Sequence, residues 1–396
     1  MKLKLIHIIL LAAFLFINPC ISVTQTNPVY VVLFTHIEDN SPVGTMGSEE
    51  SRIHFLQVRR NMIEMANLAR KYNISWSFQP DWKILLAALM YEDSVSMRTT
   101  NGKNFLRYIK EDLGAIIDPH SHEKQGYNYT DVAYLLDSLG VGGSKIIGGH
   151  IWDPSIPNFQ HWDRFRVPVR GTTYPWAIWR GEILMGSGSP NHSNDPIVSG
   201  VWRPKDRDNF FVDDPAGNIS CVGQYKGDIS STAELIDLYK ENKVPGSCML
   251  TSSYHITPTQ LNTDMGAVED TVIKPLLIWI EKGEVIVTDF TTLISEWKTK
   301  FHSLGYIYDP GKATGIDDKL ISSPSPVRII PNPFSTRIIL QNCTGEEDFA
   351  LVNAMGQTIW AGHQIQHQDF TGLASGVYFL KINDRHSQQV IRLVKN

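Results

Sequence analysis

Tyr30-Val31-Val32-Leu33-Phe34-Thr35-His36-Ile37-Glu38-Asp39 opens with five apolar residues and ends in groups that bind metals. A continuous apolar run of this length reads as a strand buried on both faces, as in a parallel sheet. The same pattern recurs along the chain. Ala115–Ile117 runs into Asp118-Pro119-His120-Ser121-His122-Glu123, Lys145–Gly149 into His150-Ile151-Trp152-Asp153, and Cys248–Tyr254 into His255. A parallel α/β barrel brings the loops after its strands to one mouth, so ligands repeatedly placed there point to an enzyme.

Helical patterns alternate with these strands. Arg52–Lys71 places Ile53, Leu56, Met62, Ile63, Leu68 and Ala69 on one broad face, and Asn128–Leu139 does the same with Val132, Leu135, Leu136 and Leu139. Ile74–Phe78 supplies a further strand, Lys103–Leu113 and Ala233–Lys240 further helices, and Glu284–Phe290 a late strand. Val268–Glu281 is helical with a kink expected at Pro275. The alternation spans residues 28–303 and predicts an α/β fold, a (β/α) barrel or wound sheet. From 151 to 230 the pattern degrades into loops rich in aromatics, among them Trp152, Trp162, Phe165, Tyr174, Trp176, Trp179, Trp202 and Phe210. Such rings suit stacking on sugars or form a second small core.

A chain of 396 residues has room for two globular units and an export signal. Its 42% hydrophobic and 19% charged content is that of a folded protein, and its formal charge of −5 with no basic patch argues against nucleic acid as a partner. Residues 1–24 read as a signal peptide: Lys2 and Lys4 precede the apolar stretch Leu5 to Ile17, too short for a stable transmembrane segment. Cleavage leaves Cys221, Cys248 and Cys343, which form no CxxC zinc site and no disulfide framework. There is neither a GxxxxGK[ST] phosphate loop nor a GxSxG nucleophile elbow.

Residues 304–326 read as a linker, and 327–396 change to short alternating segments at Arg337–Leu340, Phe349–Asn353, Val377–Ile382 and Val390–Val394. That rhythm predicts a small all-β, immunoglobulin-like sandwich. Ile330-Pro331-Asn332-Pro333-Phe334, Val352-Asn353-Ala354-Met355-Gly356-Gln357, Leu373-Ala374-Ser375-Gly376-Val377-Tyr378-Phe379-Leu380 and the closing Lys395 together resemble the type A sorting domain of the type IX secretion system of Bacteroidetes. The resemblance implies export across the outer membrane, with that machinery as a partner and release or surface attachment to follow.

The chemistry centres on the strand exits. Glu38 and Asp39 can serve one as ligand and one as base, and His120 and His122 lie on the same side if the chain stays extended. Two imidazoles and a carboxylate make a three-ligand site with room for water, the arrangement of hydrolytic zinc centres. His36 is either a fourth ligand or lies against the barrel floor. Asp81 either closes the second strand as a site residue or caps the helix that follows.

In this order the motifs resemble the polysaccharide deacetylase superfamily, which hydrolyses N- or O-acetyl groups on glycans. The acidic pair Glu38-Asp39, the histidine pair His120 and His122, the Arg-Pro motif Trp202-Arg203-Pro204-Lys205-Asp206 and the late strand ending in His255 carry the likeness. The resemblance implies Glu38 as base, Asp39, His120 and His122 as ligands of a divalent metal such as zinc, Arg203 as orienter of the base and His255 as general acid. One residue separates His120 from His122 where that superfamily usually has three, so Glu123 or His150 is an alternative ligand. Carbohydrate contacts are expected from His150, Trp152, Asp153, Trp202 and Asp206. Two other functions compete. A retaining glycosidase needs carboxyls about 5–5.5 Å apart, which Asp39 with Asp153, Asp206 or Asp289 would supply. The other is a non-catalytic surface glycan-binding protein.

Overall fold

The strand Val29–Ile37 organises the larger part of the computed structural model, which describes residues 27–149, 157–185, 197–311, 328–341, 347–383 and 388–396. Alternation along that strand divides its side chains between two cores. Val29, Val31, Leu33 and Ile37 pack with helix residues such as Phe55, Leu85 and Leu135, whereas Tyr30, Val32 and Phe34 meet Ile146, Ile183, Met185, Val201 and Val222. Both faces are dry, which is why the run from Tyr30 to Phe34 carries no charged group.

Contacts divide the chain into two units, 1–313 and 314–396. In chain order the strands of the first are β1 (Val29–Ile37), β2 (Ser77–Pro80), β3 (Ile116–Ile117), β4 (Ile146–Ile147), β5 (Val169–Arg170), β6 (Ile178–Trp179), β7 (Ile183–Met185), β8 (Val201–Trp202), β9 (Ser220–Val222), β10 (Thr251–His255) and β11 (Val285–Thr288). Its α-helices are α1 (Glu49–Lys71), α2 (Trp82–Tyr91), α3 (Phe105–Arg107), α4 (Tyr129–Ser138), α5 (Thr232–Lys240), α6 (Pro258–Thr263), α7 (Met265–Val268), α8 (Lys274–Glu281) and α9 (Phe290–Lys300). Local chemistry sets their ends. Ser48 caps α1 by accepting the Ser51 N–H, with Glu49 and Glu50 in the first turn and Arg70 and Lys71 in the last. Asn128 and Asp131 form a capping box on α4. The helix predicted over Val268–Glu281 is interrupted by a π-helical turn, Glu269–Ile273, and Pro275 falls in the first turn of α8, where its missing N–H costs nothing.

One sheet runs β10-β1-β2-β3, all parallel, and β11 pairs with the first half of β1 on the edge that β2 takes over farther along. A second sheet runs β4-β7-β9-β8, parallel except for β8. The sheets approach at two seams. A single parallel bridge joins His120 to Gly148, and the Ser253 N–H donates to the Gln224 carbonyl at 3.2 Å. Neither ladder runs on across its seam, so among the described residues the sheets are not a closed barrel.

Two expectations are resolved here. The predicted linker begins too early: Tyr306 N–H bonds Val201 O and Tyr308 N–H bonds Ser199 O, both at 2.8 Å, so residues up to 308 belong to the first unit. Residues 312–326 and the predicted signal peptide lie outside the described residues. Trp162, Phe165, Trp179, Trp202 and Phe210 are buried together with Ile147, Leu184 and Cys221, so these rings form the second core and not a sugar platform. Trp176 is the exception, 64% exposed. Cys221 and Cys248 are buried free thiols.

A buried ion pair ties α1 to the loop after α2. Arg59 Nε lies 2.8 Å from Glu92 Oε1, and its Nη2 donates to Thr100 Oγ1 at 3.1 Å and Ser96 O at 3.0 Å. Burial pushes the Glu92 carboxyl up, and Arg59 with the Phe105 N–H opposes that. Arg59→Ala is expected to cost about 3–5 kcal/mol, because an uncompensated carboxylate stays behind. Denaturant midpoints of the two proteins check it.

The second unit is all β. Its strands are β12 (Arg328–Ile330), β13 (Ile339–Gln341), β14 (Asp348–Asn353), β15 (Thr358–Gly362), β16 (Gly376–Asn383) and β17 (Gln388–Lys395). Antiparallel pair β12-β13 and antiparallel sheet β15-β14-β16-β17 share a core that includes Phe334, Phe349, Leu351, Phe370, Leu380 and Leu393. Gly356, at φ 80°, turns the β14–β15 hairpin in a conformation that favours glycine.

Candidate metal centre

Phe34, His36 and Glu38 lie two residues apart at the end of β1, so their side chains leave on one side and extend the inner face begun by Tyr30 and Val32. His120 and His122, after β3, share the same spacing. Register sets Phe34 opposite His255 at the end of β10. The result is a column of rings: Phe34 on His255 (centroids 5.3 Å, 12° between planes), His255 on His36 (3.8 Å, 23°), and His36 on His120 (4.4 Å, 25°).

The donor atoms converge beside this column. Glu38 Oε1 is 3.6 Å from His36 Nε2 and 3.6 Å from His122 Nε2, and His122 Nε2 is 3.3 Å from His120 Nε2, a distance that one shared proton or one ion can bridge. One ligand atom each from His36, Glu38 and His120 falls within 4.8 Å of the others. Tetrahedral zinc with bonds of about 2.0–2.1 Å sets its ligands roughly 3.3 Å apart. His36, Glu38 and His120 are the residues that would hold the ion, with His122 Nε2 beside them at 3.6 Å from Glu38 and 3.3 Å from His120.

Electrostatics supports the same assignment. Hydrogen bonds from His122 and His36 hold the Glu38 carboxyl far below the usual carboxylate range. Burial, then the neighbouring His36 and His122, keeps His120 well below the usual imidazole range, hence neutral and able to ligate. The buried Nδ1 of His120 has no hydrogen-bond partner among the described residues. Gly149, at φ +86°, makes room for the ring: a Cβ there would sit 2.8 Å from His120 Cε1. The tight backbone approach at Gly148-Gly149 therefore serves His120.

Several predicted roles change. Asp39 lies in the turn after β1, 3.9 Å from Lys124 Nζ, and the donor atoms that group together are those of His36, Glu38 and His120. Glu38 belongs with the donors. Burial, then His36, draws His255 down to about 3, so near neutral pH it is the uncharged form and lacks the proton expected of a general acid. Glu123 pairs with Arg164 and is no substitute ligand.

Arg203 lies far along the fold from Glu38. Because β8 is antiparallel to β9, with Trp202 level with Cys221, Arg203 emerges at the starts of the parallel strands whose far ends carry the histidines. There it grips Asp213 at 2.7 and 3.0 Å, lies over the Trp297 ring and donates to Ser303 O. Trp202 is fully buried with its Nε1 donating to Phe210 O at 2.7 Å, so it does not reach substrate, and Asp206 accepts the Asn209 N–H at 2.8 Å. His150, Trp152 and Asp153 lie outside the described residues.

Two buried acids support the centre. Asp81 caps α2 through the Trp82 N–H at 2.6 Å and also accepts the backbone N–H of His122, fixing the loop that carries it. Burial, with Asp39 and Glu38 nearby, pushes it up to about 7. Asp118 accepts the Ser144 hydroxyl at 2.7 Å, and burial pushes it to about 7 as well. The centre opens on a cleft of about 1200 Å³ lined by His36, Glu38 and residues of α1 and α6.

Residues 328–396 match the family described as the secretion system C-terminal sorting domain. PorZ of Porphyromonas gingivalis, described as an essential surface component of the type IX secretion system, aligns with 23% of this chain at 16% identity and a TM-score of 0.17. The chain covers 14% of PorZ, and a likeness at that score carries no argument. No curated protein matches the sequence. Among the described residues no helix is long and apolar enough to cross a membrane. The tail alone places the protein: residues 328–396 belong to the C-terminal sorting domain family, and the chain is exported by the type IX system to the cell surface or the extracellular space.

Proposed function

We propose that the first unit is a metal-dependent hydrolase that removes acyl groups, acetyl above all, from a carbohydrate, on a deacetylase-like (β/α) barrel with two open seams. The observation that carries this reading is the grouping of His36, Glu38 and His120 donor atoms within 4.8 Å of one another, with His122 3.3 Å from His120 and 3.6 Å from Glu38, beside an open cleft. A divalent ion bound by these donors supplies Lewis acidity toward water and an acyl carbonyl. Glu38 and Asp39 then exchange the roles expected from sequence: Glu38 ligates, and Asp39 is the carboxylate left to accept a proton from water. His255 steadies His36 by stacking, and Asp81 steadies His122 through its backbone.

Of the carboxylates offered as partners for Asp39 in the glycosidase reading, Asp153 lies outside the described residues and two are engaged elsewhere. Asp206 is tied to Asn209, and Asp289 caps α9 through the Thr292 N–H at 2.9 Å. The binding-protein reading loses most of its aromatic surface to the second core.

The test is reversible metal removal. Protein dialysed against a chelator is expected to release no acetate from acetylated oligosaccharides and to recover on adding one equivalent of zinc. Undiminished release by metal-stripped protein would sink the proposal.

A further inference from the structure

The cleft beside the metal centre has a composition of its own. Gln57 and Asn61 project from α1 and Asn262 from α6, and their carboxamides meet across it: Gln57 Nε2 donates to Asn262 Oδ1 at 2.6 Å and Asn61 Nδ2 to the same oxygen at 3.5 Å. Gln57 Oε1 accepts from Arg60, whereas Asn262 Nδ2 and Asn61 Oδ1, on residues that line the cleft, make no hydrogen bond among the described residues. Carboxamides supply both halves of the bonds that sugar hydroxyls need, without charge. Ile53 belongs to the helical stripe that sequence assigns to the core, yet it is 59% exposed and lines this cleft, as does Val43 at 45%. Apolar surface between amides suits the C–H faces of sugar rings.

Charge narrows the choice. Among the described lining residues there is no lysine or arginine, while Glu38 and Glu50 contribute carboxylates. A divalent ion would outweigh Glu38 at the metal end, whereas along the α1–α6 part of the cleft Glu50 repels an anionic sugar and no lining lysine or arginine answers it. Size narrows it further. At about 1200 Å³ the cleft exceeds the roughly 300–1,000 Å³ of small-molecule sites and suits several linked rings.

We infer that the α1–α6 cleft is the binding site for an uncharged oligosaccharide chain, held by Gln57, Asn61 and Asn262, and that it discriminates against uronate-containing glycans. This rests on the hydrolase reading for its purpose, though binding is measurable without turnover.

The test uses calorimetry on the full chain, zinc-loaded and zinc-stripped, with three neutral series (partially acetylated chito-, xylo- and gluco-oligosaccharides) and oligogalacturonates of equal length. At least one neutral series should bind, and the oligogalacturonates about tenfold more weakly or not at all. The double variant Gln57→Ala/Asn262→Ala should weaken the neutral ligand about tenfold, the loss of two modest hydrogen bonds, while bound zinc and the thermal midpoint stay unchanged. Oligogalacturonate binding as tight as neutral binding, unaltered affinity in the double variant, or no binding by any neutral series would each overturn the inference. Binding that persists without acetate release would instead count against the hydrolase alone.

Discussion

His120→Ala is expected to lose stoichiometric metal and acyl hydrolysis together. The imidazole is buried, holds the neutral form a ligand needs, and its Nε2 stands 3.3 Å from that of His122. It also ends the ring column, stacking on His36 at 4.4 Å, so its removal frees a second donor to rotate. Loss of an outer-shell partner typically costs about 10–100-fold in metal affinity or activity, and loss of a ligand should cost more. Asp39→Asn is the informative contrast: if Asp39 lies outside the donor set, this variant keeps its metal while losing turnover. Elemental analysis with acetate release separates the two. Full metal content in His120→Ala would exclude His120 from the centre, and metal loss in Asp39→Asn would restore the arrangement first expected from sequence.

Deleting residues 328–396 is expected to abolish delivery to the cell surface or medium and to retain the protein inside the outer membrane. The tail carries its own core, Phe334, Phe349, Leu351 and Leu380 among others, so the first unit keeps its hydrophobic clusters when the tail is gone. Fractionation of cells producing full-length and shortened chains checks this. The shortened protein recovered from cell lysate should still take up zinc. Equal amounts of both in the medium would refute the role of the tail.

A strand with a long apolar run was legible in the sequence, as β1 shows, because continuous burial leaves an unmistakable pattern. The sorting tail was legible for a different reason: its ordered turns and apolar segments fix a specific string. The metal centre was half legible. Both of its pairs, His36 with Glu38 and His120 with His122, have the spacing that period-two backbone geometry puts on one side. Pairing Glu38 with Asp39 left His36 as an alternative fourth ligand, and the two-residue spacing is what sets it beside Glu38. Arg203 was misplaced because motif order carries no direction. Nothing in Val201-Trp202 announces that β8 runs against its neighbours, since a two-residue strand has no pattern of its own. Ile53 and the tryptophans erred in opposite senses, one exposed and the others buried, because hydropathy alone does not say which elements will cover a side chain.

The single backbone bridge across one seam belongs to His120 itself, paired with Gly148. There the Ser121 N–H donates to Gly148 O at 3.1 Å, so the segment that carries the His120 donor atom also meets the other sheet. If these donors hold an ion as proposed, its uptake would be coupled to closure of that seam, with zinc acting as a rivet there.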